Sequence, residues 1–323
     1  MNDNLLILGG SGFIGSVLCE KLVRRRRGGG ATATVVTRRR AQARHLLPLP
    51  TIDVVEADVH DDAQLARLVA GRSAVVNLIG ILHGRDADFE RVHADFPHRL
   101  AAACVAGGTH RIVHLGALGS DAAAPSAYLR SKAAGEAVLL QHPGLRATSL
   151  RPSVVFGAGD GFLRLFAQLQ AVAPFVPLAG ASARFQPVWV EDLADAIIAA
   201  LDDPATVGQT LEAAGPRIYT LAELVRLAGQ WSGHRRWVWP LPAGLSWPLA
   251  TLMEWMPGEP LLSRDNLLSM EVPNIASGLC PGLESLGITP TPLEAVGPGM
   301  LGQGGEPARL DSWRAKVHAA RKR

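Results

Sequence analysis

Two residues that could carry acid–base chemistry stand four positions apart, Tyr128 and Lys132. Residues i and i+4 of a helix lie on the same face, so this spacing places a phenol beside an ammonium group. A nearby cation favours the phenolate, and we therefore expect Lys132 to lower the pKa of Tyr128 and make it a proton donor and acceptor near neutral pH. An ordinary polar helix face is the alternative, because Tyr-x-x-x-Lys is a common pattern.

A glycine-rich turn near the start of the chain is the second stretch with chemical meaning. Gly9, Gly12 and Gly15 recur every three residues, directly after the apolar run 5–8. A helical apolar stripe follows, formed by Ile14, Val17, Leu18 and Leu22. The order strand, glycine turn, helix is typical of a dinucleotide site, because glycine lets the backbone approach a pyrophosphate and the helix N-terminus offers free N–H groups. A simple turn between two core elements would explain one glycine but not three at this spacing.

The residues after the second predicted strand indicate which dinucleotide binds. The β-branched run 32–37 predicts that strand, and Arg38, Arg39 and Arg40 follow it directly. An NAD site usually has an acidic residue here for the ribose 2′-OH, whereas a guanidinium suits a 2′-phosphate. We therefore expect NADP(H), with NAD(H) less favoured and Arg38 as the first candidate ligand. A cluster of surface charge is the alternative.

These residues need a framework, and strands alternate with helices through the first half of the chain. The further predicted strands are 52–55, 74–79 and 111–115, and the predicted helices are 61–70, 89–106 and one that opens at Pro125 and runs to about 140. This rhythm indicates βαβ units and an α/β fold with a Rossmann-type, doubly wound parallel sheet.

Composition excludes several classes of protein. The 323 residues are 48% hydrophobic, enough for one large domain or two modest ones, and 32 Lys+Arg against 29 Asp+Glu is no nucleic-acid signature. Three distant cysteines form neither a disulfide framework nor a metal-ligand spacing, which favours a reducing compartment. The first apolar run is the cofactor strand rather than a signal peptide, and no run of about 20 apolar residues occurs. We expect a cytoplasmic protein, with attachment to the inner face of the membrane as the alternative.

Together, Gly9-x-x-Gly12-x-x-Gly15 and Tyr128-x-x-x-Lys132 resemble the short-chain dehydrogenase/reductase superfamily in its extended or atypical branch, which includes the NAD-dependent epimerase/dehydratase family. The resemblance implies that Tyr128 is the acid/base and that Lys132 also binds the nicotinamide ribose. It places Asp58 and Val59 at the adenine. The candidate cofactor-binding residues are then Gly9, Ser11, Gly12, Phe13, Ile14, Gly15, Arg38, Arg39, Asp58, Val59, Leu78, Ile79, Gly80, Lys132 and Ser153, with no metal ligand among them.

One position departs from the superfamily pattern. A Ser or Thr usually ends the fifth strand and polarises the substrate carbonyl, but here Gly116 and Ala117 hold those places. Neither side chain can donate a hydrogen bond, and loss of one preorganised donor of this kind costs about 10²–10³ in rate. Ser120 and Ser153 are candidate replacements.

Three further segments narrow the resemblance. Residues 130–136, 185–194 and 257–265 are similar to the subgroup that contains the NADPH-binding accessory subunit of respiratory complex I and its bacterial relatives, with similarity from residue 4 to about residue 301. This implies a protein that holds NADPH with weak or no turnover, in a complex I-like or quinone-linked assembly at the membrane. The alternative is an active NAD(P)-dependent oxidoreductase or nucleotide-sugar epimerase/dehydratase that uses Tyr128 and Lys132.

The second half of the chain predicts a smaller lobe. We assign 1–156 to the Rossmann domain, 184–215 as a return to it, 157–183 and 216–301 to the smaller lobe, and 302–323 to a basic tail. A strand is expected at 184–190, followed by a helix with Glu191 and Asp192 in its first turn. Capping boxes are expected at 220–223 and, with Pro292 at the first helical position, at 291–294.

Five of the seven tryptophans lie between residues 231 and 255. The favoured interpretation is the core of the smaller lobe, and the alternative is an exposed surface, within 231–262, for a respiratory-complex partner or a membrane. The tail 309–323 carries six Arg or Lys residues. We expect it to be solvated, with a basic amphipathic helix on anionic lipid as the alternative. Nucleic acid is not expected as a partner.

Overall fold

The centre of the protein is one sheet of seven strands, all paired in parallel, in the spatial order 210–213, 146–152, 111–115, 74–77, 5–8, 33–37 and 52–56. The computed structural model describes residues 4–25, 33–255, 258 and 260–302. Its strands are β1 (Leu5–Leu8), β2 (Ala33–Thr37), β3 (Ile52–Glu56), β4 (Ala74–Asn77), β5 (Arg111–Leu115), β6 (Arg146–Pro152), β7 (Val155–Phe156), β8 (Phe175–Leu178), β9 (Arg184–Phe185), β10 (Val188–Trp189), β11 (Thr210–Ala213), β12 (Tyr219–Thr220) and β13 (Trp237–Pro240). The predicted Rossmann-type α/β fold is confirmed.

Helices cover both faces of the sheet. They are α1 (Phe13–Arg25), α2 (Asp62–Val69), α3 (Asp86–Phe89), a π-helical segment (Glu90–Asp95), α4 (Phe96–Ala106), α5 (Ala127–Gln141), α6 (Phe162–Val172), α7 (Val190–Asp202), α8 (Leu221–Trp231), α9 (Ala243–Glu254), α10 (Arg264–Ser269) and α11 (Leu293–Leu301). Short 3₁₀ helices occur at Arg40–Ala43, Pro204–Thr206 and Leu283–Leu286.

The four residues of β1 explain why the sheet is buried on both sides. Successive side chains of a strand point to opposite faces, and here all four are apolar. Leu5 and Ile7 pack in the core cluster formed with α1 and α7, whereas Leu6 and Leu8 pack in the cluster formed with α2, α4 and α5. A continuous apolar run is therefore what a central strand of this sheet requires.

Three predicted boundaries in the Rossmann part differ from the structure. The strand predicted at 74–79 ends at Asn77, and the residues after it form a loop at the sheet edge. The helix expected to open at Pro125 begins at Ala127, because the hydroxyl of Ser126 caps it by accepting the Leu129 N–H at 3.2 Å. The helix predicted at 89–106 begins earlier, with α3, and contains the π-helical segment.

The chain returns to the Rossmann part after residue 184, as β11 and α7 show. Strand β11 pairs with β6 at the edge of the sheet, and α7 packs against α1, where the amino group of Lys21 lies 3.1 Å from Glu191 and 2.7 Å from Asp195. The single strand predicted at 184–190 is wrong. Proline has no N–H for a ladder, so Pro187 separates the dipeptides β9 and β10, and Val190 already opens α7. The domain boundaries themselves stay a prediction.

In the smaller lobe one of the two expected capping boxes forms. Thr220 and Glu223 exchange both hydrogen bonds at the start of α8, at 2.7 and 3.2 Å. The box expected at 291–294 is wrong: Thr291 donates its N–H and hydroxyl to Asp192 of α7, and Glu294 accepts from Arg217 and Tyr219. Tertiary partners have taken both side chains that a local cap would use.

Four of the five clustered tryptophans are exposed, so the prediction that they form the core of the lobe is wrong for these four. The exposed fractions are 66% for Trp237, 40% for Trp239, 43% for Trp247 and 83% for Trp255, while Trp231 packs beside Leu293 in the core of the lobe. The rings of Trp237 and Trp239 stack with centroids 6.4 Å apart. Among the described residues no helix is long and apolar enough to cross a membrane. The tail 303–323 lies outside the described residues.

Candidate functional site

The predicted cofactor residues gather at one edge of the sheet. Because the six strands β1 to β6 run in parallel, their carboxyl ends share that edge. From β1 the strand order runs to one side through β2 and β3, and to the other side through β4, β5 and β6, so it reverses between β1 and β4. Such a reversal leaves a crevice, which is the usual ligand position in these folds. The residues that follow these strands are Gly9 after β1, Arg38 after β2, Asp58 after β3, Leu78 after β4, Gly116 after β5 and Ser153 after β6.

The glycine turn after β1 is shaped by two steric demands. Gly9 has φ +79°, and a Cβ on it would lie 3.0 Å from the carbonyl carbon of Leu78. A Cβ on Gly15 would overlap the backbone of Gly10, so α1 packs on the turn only because position 15 has no side chain. Gly12 is less constrained, since its nearest neighbour would be the Gly9 carbonyl oxygen at 3.3 Å.

The start of α1 leaves room and donors for an anion. Within the described residues, no hydrogen bond uses the backbone N–H of Phe13 or Ile14, as expected for a first helical turn. Ser11 precedes them, half-buried, in the turn. The Ile14 side chain packs against the core, and the Phe13 ring lies near Gly157 of the loop after β7. Unpaired N–H groups in the first turn of a helix are the donors that bind a pyrophosphate in sites of this kind.

The turn after β3 carries Asp58 and Val59. The Asp58 carboxylate accepts the His60 N–H at 2.9 Å, its own N–H donates to Gln64 at 3.0 Å, and Val59 is buried. Burial lowers the pKa of His60, and the charge of Arg38 acts in the same direction. The Arg38 guanidinium, which follows β2, therefore has a small electrostatic effect on the turn that follows β3.

The turn after β2 presents cations without acidic partners. Neither Arg38 nor Arg39 forms a side-chain ion pair or hydrogen bond with another described residue, and both are exposed. Hydrogen bonds between side chains and backbone hold the turn. The Thr37 hydroxyl donates to the Arg39 carbonyl and accepts the Arg39 N–H, and the Arg40 N–H donates to the Glu56 carboxylate at 2.9 Å. Two guanidinium groups are thus available to an anionic ligand at this end of the site.

Lys132 lies in the middle of the site, buried, where β4 and β5 end. Its amino group donates to the Leu115 carbonyl at 3.0 Å, and a Cβ on Gly80 would lie 3.2 Å from it. Gly80 therefore leaves the space that Lys132 occupies, which brings the 78–80 loop and the lysine together. Burial lowers the pKa of Lys132 to about 8, although the negative charge of Glu136 opposes this.

The structure does not support the expected pairing of Tyr128 with Lys132. In the described part of the chain no hydrogen bond joins the phenol to the amino group. The Tyr128 ring makes edge contacts with the rings of Phe89 and His93, with centroids 5.9 and 5.5 Å apart. Burial and the negative charge of Asp265 raise the pKa of Tyr128 to about 12. The prediction of a lowered pKa is wrong, because burial disfavours the phenolate, the acid Asp265 adds to this effect, and the lysine donates to Leu115.

His93 is a site residue that sequence reasoning missed. Its Nε2 accepts the Ile81 N–H at 3.0 Å, so the neutral ring donates from Nδ1 to Ser131 at 3.0 Å, and Ser131 donates to the Tyr128 carbonyl at 2.8 Å. Burial, with a smaller contribution from Lys132, lowers the pKa of His93 to about 3, which keeps it neutral. This series of hydrogen bonds links the loop after β4 to α5. A lone histidine in a helix gives no motif that could have revealed it.

The missing hydroxyl at the end of β5 has a structural reason. A Cβ on Gly116 would lie 2.8 Å from Oε2 of Glu136 and 3.2 Å from the side chains of Ser149 and Arg151. Glu136 is buried and accepts hydrogen bonds from Ser149 at 2.6 Å and from Arg151 at 3.0 Å. Position 116 therefore faces the ion pair of Glu136 with Arg151, and a serine there would require the Glu136 carboxylate to shift.

The two candidate replacement serines differ. Ser153 is engaged with the second half of the chain: its hydroxyl lies 2.7 Å from Oδ1 of Asn274 and accepts the Gln186 N–H at 3.1 Å. Ser120 is also buried, and its hydroxyl has no hydrogen-bond partner within the described residues. Those residues contain no group of three or more His, Cys, Asp or Glu side chains that could hold a metal ion.

A doubly wound parallel sheet with a glycine turn at its crevice defines a Rossmann-type protein with a site for a nicotinamide dinucleotide. The sequence matches the NAD dependent epimerase/dehydratase family over residues 5–219, and the chain belongs to this family. The resemblance to the extended short-chain dehydrogenase/reductases is confirmed.

Relatives and solved structures agree with this assignment. The chain is 32% identical over 294 residues to NADH dehydrogenase [ubiquinone] 1 alpha subcomplex subunit 9, mitochondrial, from Mus musculus, covering 89% of this chain and 77% of that protein. Its fold is similar to a nucleoside-diphosphate-sugar epimerase from Staphylococcus aureus (TM-score 0.68, 16% identity, 90% and 98% of the two chains). It is also similar to the Bordetella bronchiseptica enzyme WbmF in complex with NAD+ (TM-score 0.62, 20% identity, 85% and 89%).

Proposed function

We propose that this protein holds NADP(H) with weak or no turnover, as an accessory module of a respiratory or quinone-linked assembly at the membrane. The observation that carries the proposal is the state of Tyr128 and Lys132. The amino group that should activate the phenol donates to the Leu115 carbonyl, and the pKa of Tyr128 is raised to about 12. A phenol in that state is a poor base near neutral pH.

The cofactor would lie along the carboxyl edge of the sheet. The turn from Gly9 to Gly15 and the first N–H groups of α1 would hold the pyrophosphate, and Asp58 with Val59 would meet the adenine. Lys132, beside Gly80, would bind the ribose next to the nicotinamide. When bound, the nicotinamide supplies a hydride carrier, and the protein's residues orient it and limit its exposure to water.

The preference for NADP(H) is supported by the turn after β2. Arg38 and Arg39 are exposed and have no acidic partner among the described residues. A guanidinium forms charge-assisted, often bidentate bonds to phosphate, so a 2′-phosphate would gain where a 2′-hydroxyl would not. The Glu56 carboxylate accepts the backbone N–H of Arg40 at 2.9 Å.

A respiratory-complex partner is supported by the relatives, and the exposed tryptophans offer a surface for one. Trp237, Trp239, Trp247 and Trp255 lie on the smaller lobe, and tryptophan is enriched where a surface is partly apolar and partly wet. The same surface and the basic tail would suit a peripheral position on the membrane.

The test is the affinity for each dinucleotide, measured by the fluorescence of the reduced nicotinamide. We expect NADPH to bind at least tenfold more tightly than NADH, and the double change Arg38→Ala, Arg39→Ala to remove most of that difference, since an exposed phosphate contact contributes about 1 kcal/mol. Arg226→Ala, an exposed arginine of α8, is the control. Equal affinities in the unchanged protein would overturn the NADP(H) preference, and absence of binding would overturn the holding role.

An active oxidoreductase or nucleotide-sugar epimerase/dehydratase is the second candidate, favoured by the unpartnered hydroxyl of buried Ser120. That hydroxyl would polarise a substrate carbonyl in place of the missing one, with Tyr128 as the acid. Turnover of NADPH with carbonyl or nucleotide-sugar substrates, lost in both Ser120→Ala and Tyr128→Phe, would establish this function and refute a purely holding role.

A further inference from the structure

The N-terminus of α5, the helix that carries Tyr128 and Lys132, is capped by a residue from far along the chain. The Asp265 carboxylate accepts the Ala127 N–H at 2.7 Å and the Tyr128 N–H at 3.2 Å, across more than a hundred residues. Ser126 accepts the next N–H, that of Leu129, at 3.2 Å. The first three N–H groups of the helix are therefore all satisfied, two of them by the smaller lobe.

Asp265 is itself held in place. It lies in the first turn of α10, where Ser263 and Asn266 form a capping box at 3.0 and 3.1 Å. The preceding residue, Arg264, donates its N–H and its guanidinium to Glu254 of α9 at 2.7 and 2.8 Å. The carboxylate is thus presented to α5 from a braced helix rather than from a free loop.

We propose that Asp265 is a positioning residue, by which the smaller lobe sets the start of α5 and with it the phenol and amino groups in the dinucleotide site. This inference deepens the proposed function and rests on it only for the expected change in NADPH affinity. A carboxylate at the positive end of the helix dipole stabilises the first turn, and Tyr128 lies in that turn. Lys132 lies one turn later on the same face.

The position of Asp265 also gives it an electrostatic effect on Tyr128. The charged and titratable groups around the phenol and the cap are Asp265 of α10, Asp86 of α3, Arg130 and Lys132 of α5, and neutral His93. After burial, the charge of Asp265 is the contribution that raises the pKa of Tyr128. Removing the charge while keeping one of the two hydrogen bonds therefore distinguishes the electrostatic role from the capping role.

The test uses the full chain and three variants. Asp265→Ala removes both the cap and the charge, whereas Asp265→Asn removes the charge and one of the two acceptor oxygens and keeps the other. Glu223→Ala is the matched control, because it removes a capping carboxylate of the same lobe that does not touch α5. The readouts are amide hydrogen exchange at Ala127 and Tyr128, titration of tyrosine labelled at Cζ with ¹³C, and NADPH affinity. The chain has two tyrosines, so Tyr219→Phe assigns the signals.

In Asp265→Ala we expect amide exchange at the two positions to rise at least tenfold, the pKa of Tyr128 to fall, and NADPH affinity to weaken about five- to tenfold, as loss of a helix cap implies. Asp265→Asn should raise exchange less than Asp265→Ala does, because one of the two acceptor oxygens remains, and it should show the lowered pKa of Tyr128. If Asp265→Ala matches Glu223→Ala in exchange and titration, the inference is wrong. Amide exchange and tyrosine titration need no cofactor. If the unchanged protein does not bind NADPH, the proposed function is wrong, and exchange and titration still decide this inference.

Discussion

The two ends of the site are built differently. At the phosphate end the contacts are made by backbone, and the residues that matter, Gly9 and Gly15, act through the absence of a side chain. At the nicotinamide end the contacts are made by side chains, and Lys132, His93 and Tyr128 are fixed by partners from β5, the loop after β4 and α10. The phosphate end follows the family pattern closely, whereas the end where chemistry would occur departs from it. This difference between the two ends would allow dinucleotide binding with weak or no turnover, as proposed above.

The largest effect should come from Gly15→Ala at the phosphate end. The new Cβ would overlap the Gly10 backbone, which cannot yield as a side chain could, so we expect a loss of about 3 kcal/mol in the free energy of unfolding and loss of dinucleotide binding. Gly12→Ala is the control, because its Cβ meets one carbonyl oxygen at 3.3 Å, and it should cost under about 1 kcal/mol in urea unfolding without cofactor. Equal costs for the two variants would contradict the steric account of this end.

Gly116→Ser tests whether the nicotinamide end lacks only a hydroxyl. We expect no gain of turnover, and a loss of about 2 kcal/mol in the free energy of unfolding, because the side chain would enter the Glu136–Arg151 ion pair. Ala117→Ser is the comparison, since it restores a hydroxyl at the neighbouring position. Both variants should be assayed with NADPH and carbonyl substrates. Activity in Gly116→Ser at normal stability would show that this end is closer to the family pattern than its packing indicates.

An effect of similar size is expected in the pH dependence of stability. Burial lowers the pKa of Lys132 to about 8 in the folded state from 10.5, so between these values the unfolded chain binds more protons and stability rises with pH. From pH 7.5 to pH 9.5 this contributes about 2 kcal/mol, which Lys132→Met should remove. Urea unfolding at the two pH values measures it. Lys21→Met, which removes an amino group paired with Glu191 and Asp195, is the control and should retain the rise.

The parts of the fold predicted from sequence are those in which one local pattern decides the outcome. The apolar run Leu5–Leu8 forms a strand that is buried on both faces. The three glycines at positions 9, 12 and 15 form the turn before a helix. Predictions failed where a local pattern met a stronger tertiary partner. Thr291 and Glu294 have the types of a capping box, but Asp192 and Tyr219 bind them instead.

The sequence by itself determined the sheet, the glycine turn and the row of arginines after β2, because strand burial, backbone freedom and charge are properties of short segments. The tertiary structure alone decided the state of the tyrosine and lysine. Their spacing places them on one helix face, but the Leu115 carbonyl takes the amino group and Asp265 lies near the phenol. The first group comes from the strand before α5 and the second from α10, far along the chain. A pKa depends on the charges and solvent that folding brings to a group.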